Sequence, residues 1–185
     1  TNSMFFLIVY LTSIFVVLGV GAVAAHSDVK GMTIPNMYSL IIMGAFAVSF
    51  GVLWLGGYGQ VFFPLLSHIL AFLIVFGLTA ALFAFKLIGA GDSKLASVYA
   101  LWMGMPGLIP FLFYMALVGG VLGLVAIILQ KFKPVKTPKP NSWVAQVQGG
   151  ASKVPYGVAI VIGALASFLK IGYLNVDNFS LFIAS

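Results

Sequence analysis

Long apolar stretches separated by short polar connections organise the whole chain. Five of them hold roughly 20 apolar residues, the length that crosses a bilayer as an α-helix. They cover residues 5–25, 34–55, 61–85, 108–129 and 154–174. A shorter apolar stretch, the fourth along the chain, covers residues 95–105 and ends at Met105-Pro106-Gly107. The helix predicted for it starts at the preceding motif, Gly89-Ala90-Gly91-Asp92. We interpret it as a helix that begins within the membrane, where protein or water can cover non-helical backbone. The pattern predicts an all-α polytopic membrane protein with six transmembrane helices.

The composition supports a membrane protein. Of the 185 residues, 62% are hydrophobic and only 6% are charged, whereas soluble domains average about 25% charged residues. Disordered chains have few apolar residues and abundant charge, so this class is excluded too. The length fits one membrane domain, residues 4–185, and we interpret residues 1–3 ahead of Met4 as a cloning remnant. The absence of cysteine excludes disulfides, thiol nucleophiles and cysteine-ligated metals.

The lysines predict the orientation. All nine basic residues are lysines, and eight of them fall between the first and second, third and fourth, or fifth and sixth helices. The connections on the opposite side, residues 56–60 and 106–107, carry no charge. The positive-inside rule therefore predicts cytoplasmic lysine loops and both termini outside. Lys170 is the exception, and its side chain can reach the outer interface. The net charge of +6 then reflects topology, and no nucleic-acid partner is expected.

The longest connection, residues 131–153, is rich in Lys, Pro, Gln and Gly. It has too few apolar residues for a core, so we expect a mobile cytoplasmic loop. One interpretation is a basic loop that sets the topology and faces anionic headgroups. The alternative is a part in substrate binding.

The acidic residues limit the candidate chemistry. The chain has no glutamate and three aspartates, Asp28, Asp92 and Asp177. Asp28 closes the first helix and Asp92 lies at the start of the short fourth helix, so both are predicted at the cytoplasmic edge of the bilayer. An acid at membrane depth costs about 2.5 to 3.5 kcal/mol on insertion scales, which marks such residues as functional candidates. Asp177 falls in the polar outer tail, where solvation is a sufficient explanation.

Two carboxylates brought close together cannot both ionise cheaply, so they tend to share one proton. One can then act as a base towards water while the other acts as an acid towards a carbonyl, as aspartic proteolysis requires. This chemistry needs no metal and no cofactor. Glycines before Asp92 would let a substrate backbone approach closely and permit unusual dihedral angles. The structural alternative for Asp92 is the capping of exposed N–H groups at a helix start.

Other side chains suggest weaker alternatives. His26 lies two positions before Asp28 and is interpreted as an interfacial residue, with tuning of Asp28 as the alternative. His68 falls in the outer half of the third helix and is expected to form hydrogen bonds inside the bundle. A metal site built from His26, Asp28 and Asp92 lacks a fourth ligand. Ser93 and Lys94 suggest a Ser/Lys dyad, but neighbouring positions on a helix do not face each other.

Three separated segments resemble the type IV prepilin peptidases, membrane aspartyl proteases of the Gly-x-Gly-Asp class. The segments are Asp28 with the following Ile34-Pro35-Asn36, Gly89-Ala90-Gly91-Asp92-Ser93-Lys94-Leu95, and Val154-Pro155-Tyr156-Gly157. The resemblance implies that Asp28 and Asp92 are the catalytic pair. It implies that the other motif residues bind substrate or shape the cytoplasmic mouth, namely Gly89, Gly91, Lys94, Pro35, Asn36, Pro155 and Gly157. We expect the prolines to preset the first turns of their helices and Asn36 to bond nearby backbone.

Within that family the chain is most similar to the short peptidases of Flp-type pili, the TadV or CpaA group. The similarity implies a bacterial inner-membrane enzyme that cuts prepilin leaders beside a glycine, and no methyltransferase activity. Its expected partners are the lipid bilayer and prepilins with a hydrophobic transmembrane helix. Two alternatives stay open: a proton-coupled transporter subunit, since paired intramembrane acids also mark proton pathways, and a non-catalytic scaffold of a secretion system.

Overall fold

The computed structural model describes residues 2–183 and is all-helical, with no strand in that range, which confirms the predicted fold class. Within residues 2–183, seven helices follow one another, with a 3₁₀ turn at Gly59–Val61 between the second and third. They are α1 (Asn2–Gly31), α2 (Asn36–Leu55), α3 (Leu65–Ala84), α4 (Ala90–Phe132), α5 (Trp143–Gln148), α6 (Tyr156–Lys170) and α7 (Val176–Ile183). Thr1, part of the interpreted cloning remnant, lies outside the described residues.

Four segments of the described chain are long and apolar enough to cross a membrane. They are Ser3–Gly31, Asn36–Leu55, Gly59–Ala84 and Ala90–Phe132, while α6 is apolar but shorter. The chain is therefore a membrane protein, and the number of six crossings stays a prediction.

Helix α4 is 43 residues long and is interrupted at Gly104, whose backbone angles are φ 62° and ψ −173°. Before this break, the Ser93 and Thr79 hydroxyls bond at 2.8 Å, and the His68 ring bonds the Leu101 carbonyl at 2.7 Å. The first part of α4 is therefore antiparallel to α3. Beyond the break, Ser167 of α6 bonds the Gly107 carbonyl, and Tyr156 lies beside Gly119. The first part of α4 is parallel to α6, since Ala96 and Ile160 line one cavity and Trp102 contacts Phe168. The two parts of α4 therefore run in opposite directions.

The break lies next to the predicted stop at Met105-Pro106-Gly107. Glycine adopts a positive φ without the steric penalty of other residues, which explains why Gly104 takes the turn. Pro106 has no N–H and cannot donate to the Trp102 carbonyl. That carbonyl instead accepts a hydrogen bond of 2.9 Å from the Tyr173 hydroxyl. The break at Gly104 thus lies within two residues of the helix end that Pro106 predicts.

The segment expected to be a mobile loop contains the short helix α5. Trp143 and Val147 are buried against Ala126 of α4, with Met32 at the margin of the same small cluster. Ser142 begins the helix by accepting a hydrogen bond of 3.3 Å from the Ala145 N–H. The loop is therefore docked on the bundle at this point, beside the end of α1.

Candidate active site

The end of α1 and the start of α4 meet at one end of the bundle. Asp28 lies in the last turn of α1 and Asp92 in the first turn of α4. Both aspartates line a cavity of about 330 Å³ and an adjoining one of about 270 Å³. A water molecule occupies about 30 Å³ in the liquid, so this space accommodates several waters or a short extended peptide. The structure thus brings the two sequence-predicted acids to one shared space.

Asp28 is buried, with 4% of its surface exposed. Its Oδ2 accepts a hydrogen bond of 2.8 Å from the Gly157 N–H. Gly157 lies in the first turn of α6, where N–H groups have no partner within the helix and the helix dipole favours a negative charge. The N-terminus of α6 therefore fixes one oxygen of Asp28.

This close approach leaves little room for a side chain at position 157. A methyl group there would come within 3.0 Å of both Asp28 Oδ2 and Ile34 Cδ1. Pro155 is the residue that precedes α6, at its N-cap. The Pro-x-Gly segment thus lies against the first aspartate.

Asp92 uses one oxygen to cap its own helix. Its Oδ2 accepts a hydrogen bond of 2.9 Å from the Gly89 N–H at the N-cap of α4. Its Oδ1 is buried and has no hydrogen-bond partner among residues 2–183. Capping is therefore a real role of Asp92, but it leaves one carboxylate oxygen without a protein partner beside the cavities.

The glycines of this motif contact protein groups. A methyl group on Gly91 would come within 3.0 Å of the Ile34 carbonyl oxygen, so Gly91 lets α4 pack against the link between α1 and α2. A methyl group on Gly89 would lie 2.8 Å from Asp92 Oδ2. Gly89 has an extended backbone with φ −80°, and Gly91 is helical without a positive φ. Close packing, rather than an unusual dihedral angle, explains both residues.

Lys94 and Asn36 join α4 to the start of α2. Lys94 Nζ donates a hydrogen bond of 2.9 Å to Asn36 Oδ1, so Asn36 bonds this side chain rather than the expected nearby backbone. Pro35 is the N-cap residue of α2. Ser93 is buried and bonds Thr79, so Ser93 and Lys94 have separate partners and form no dyad.

Comparison with known protein families identifies the family of the chain. A model of the type IV leader peptidase family matches residues 14–124. The chain belongs to this family. The matched residues include both aspartates and the Gly89-Ala90-Gly91-Asp92 segment. The protein is thus a membrane-embedded leader peptidase and hydrolase by family. No curated protein and no solved structure matches the chain.

The remaining candidates of this leader peptidase do not line the two cavities that the aspartates share. His26 is exposed although it is close to Asp28 in sequence. His68 is fully buried among aromatic rings and bonds the Leu101 carbonyl near the break in α4, which is the hydrogen-bonding role expected for it. Asp177 is exposed in the first turn of α7. Within residues 2–183, no three His or Asp side chains come together to hold a metal ion.

One wall of the cavity comes from the end of the segment 131–153, for which the sequence left a part in substrate binding open, and from Lys86, to which the sequence assigned no site role. Ser152, Lys153 and Val154 line the 330 Å³ cavity, and Lys86 does so from the link between α3 and α4. Trp143 of α5 holds this wall, because its Nε1 donates a hydrogen bond of 2.8 Å to the Lys153 carbonyl. A capping serine before Trp143, with apolar residues spaced by four positions, was the available signal for a short helix.

Proposed function

We propose that this protein is an integral-membrane aspartyl endopeptidase that removes leader peptides from prepilins, and that Asp28 and Asp92 are its general acid and base. The main support is that two acids 64 positions apart in the sequence line the same cavities, and that Asp92 Oδ1 has no hydrogen-bond partner in the described part of the chain. An alternative proton pathway would place acids through the depth of the bilayer. The third and last aspartate, Asp177, is instead exposed on α7.

The proposed reaction begins with a water molecule between the two carboxyl groups. The ionised aspartate takes a proton from the water, whose oxygen attacks the scissile carbonyl carbon. The protonated aspartate donates a hydrogen bond to the carbonyl oxygen and stabilises the charge that develops there. The tetrahedral intermediate then loses the C–N bond, and an aspartate gives its proton to the leaving amine. The products are a free leader carboxylate and a mature N-terminal amine.

The proposed substrate is a prepilin of the Flp type, cut beside a glycine on the cytoplasmic side of the bacterial inner membrane. Its hydrophobic helix lies in the bilayer and its basic leader in the cytoplasm, so the scissile bond reaches the depth of the two aspartates. Holding the substrate in the membrane also raises its effective concentration at the site. The lysine-rich loops would face the same compartment, with the termini outside. We also propose that the protein does not methylate the new N-terminus.

Asp28→Asn and Asp92→Asn, each co-expressed with a Flp-type prepilin, test the mechanism. Asn cannot exchange the proton, so cleavage should fall about 10²- to 10⁴-fold. Its side-chain oxygen can still accept the hydrogen bond from Gly157 or Gly89, so both variants should fold and insert. Asp177→Asn is the matched control and should process the leader normally. Full processing by either of the first two variants would reject the assignment.

A further inference from the structure

An apolar groove opens towards the lipid between α2 and α3, with α4 as its floor. Its volume is about 310 Å³. The Phe72 and Phe76 rings form one wall and stack in parallel, with centroids 6.0 Å apart. Leu40 and Met43, both exposed, form the other wall. The complete lining is Asn36, Ser39, Leu40, Met43, Phe72, Phe76, Lys94, Ser97 and Val98.

The groove begins close to the two aspartates. Its floor residues on α4, Lys94 to Val98, follow Asp92 by two to six positions. At 1.5 Å per residue they lie roughly 3 to 9 Å further along the helix axis than Asp92. The Lys94–Asn36 hydrogen bond joins α2 and α4 at this end of the groove. A helix lying in the groove would therefore direct one of its ends towards the carboxyl groups.

Ser39 is an unusual residue for a surface that contacts only lipid. It is 7% exposed and lines the groove, and its Oγ has no hydrogen-bond partner in residues 2–183. A buried hydroxyl without a partner is costly. The first turn of any helix has N–H groups that lack an acceptor within the helix, and a hydroxyl can accept from one of them. The acyl chain of a lipid has no such donor.

We propose that this α2–α3 groove holds the first turns of the substrate's transmembrane helix while the preceding extended segment enters the aspartate cavity. The proposal rests on the proposed function and adds where the substrate binds. The Phe72 and Phe76 rings contact its apolar side chains, and Ser39 Oγ accepts a first-turn N–H. The groove thus places the scissile bond by fixing the segment that follows it.

Disulfide cross-linking tests the contact directly, because the chain has no cysteine of its own. Met43→Cys is combined with Asp92→Asn, so that the substrate stays uncut. The probe is a Flp-type prepilin with one cysteine placed in turn at each position of its first helical turns. Phe113→Cys is the matched control, exposed on the part of α4 that follows the break. We expect cross-links to Met43→Cys at every third or fourth substrate position and none to Phe113→Cys. Equal cross-linking of both variants would overturn the proposal.

Filling the groove tests its importance in the active enzyme. Met43→Trp should lower kcat/KM for the same prepilin about fivefold or more, because the larger side chain occupies the space of the substrate helix. Phe113→Trp should change it less than about twofold. A wild-type protein that leaves the prepilin uncut would reject the proposed function itself. Normal cleavage by both wild type and Met43→Trp would reject only the groove.

Discussion

Near the break in α4, polar side chains replace hydrogen bonds that the interrupted helix has lost, whereas at the aspartate end a carboxylate oxygen without a partner in residues 2–183 lies beside cavities. His68 donates to the Leu101 carbonyl, and the Met105 N–H donates to Ser67 Oγ at 3.0 Å. In a continuous helix, the Met105 N–H would bond the Leu101 carbonyl itself. Asp92 Oδ1, by contrast, is buried next to cavities. A buried polar residue in a membrane bundle can therefore replace a lost backbone hydrogen bond or remain available for chemistry.

Crowding Asp28 should affect activity more than stability. In Gly157→Ala the added methyl group would come within 3.0 Å of Asp28 Oδ2, so the carboxylate must move. We expect kcat/KM to fall about 10- to 100-fold, the cost of displacing a reacting group by a fraction of an ångström. Prepilin cleavage by purified enzyme measures this effect. Gly120→Ala is the control, since no atom lies within 4 Å of a methyl group there, and it should keep normal activity. Equal activities would show that the Gly157 contact does not position Asp28.

Near the break in α4, His68→Ala should affect stability more than activity. The substitution leaves the buried Leu101 carbonyl without its donor. An unsatisfied buried group costs about 1 to 3 kcal/mol, so the free energy of unfolding should fall by that amount. Unfolding in detergent measures stability, and cleavage per folded molecule should stay within about twofold of wild type. His26→Ala, at an exposed histidine, is the control and should change neither. Loss of activity in fully folded His68→Ala would contradict the division of roles.

Removing a hydroxyl group near Asp92 should, like removing the His68 ring, affect stability more than activity. Ser93→Ala removes the hydrogen bond to Thr79 but leaves Asp92 unchanged. We expect the free energy of unfolding to fall by about 0.5 to 1.5 kcal/mol, with the leader still cleaved. Thermal unfolding and prepilin processing are measured on the same preparation. A loss of processing as large as that of Asp92→Asn would restore the Ser/Lys dyad as a candidate.

Local signals in the sequence were enough to predict the helical class and to single out Asp28 and Asp92, which the structure brings to one cavity. The other motif residues were named from the family resemblance. Apolar length predicted the segments, and the Pro106 region predicted the break in α4, because proline and glycine act on neighbouring backbone. The Gly157–Asp28 hydrogen bond joins residues 129 positions apart. No local pattern encodes such a contact, since it depends on how α6 packs against α1. The Gly91–Ile34 packing was unpredictable for the same reason. Helix α5 was not predicted because the segment 131–153 is mostly polar.

The smallest predicted effect concerns the wall that α5 holds at the aspartate cavity. Trp143→Phe keeps the buried ring but loses the hydrogen bond to the Lys153 carbonyl. One such bond contributes about 0.5 to 1.5 kcal/mol, so a looser wall should raise KM about two- to tenfold. Steady-state cleavage of a Flp-type prepilin measures KM. Trp54→Phe, at an exposed tryptophan near the C-terminus of α2, is the control and should leave KM unchanged. If both variants have the wild-type KM, the segment around Lys153 does not contribute to substrate binding.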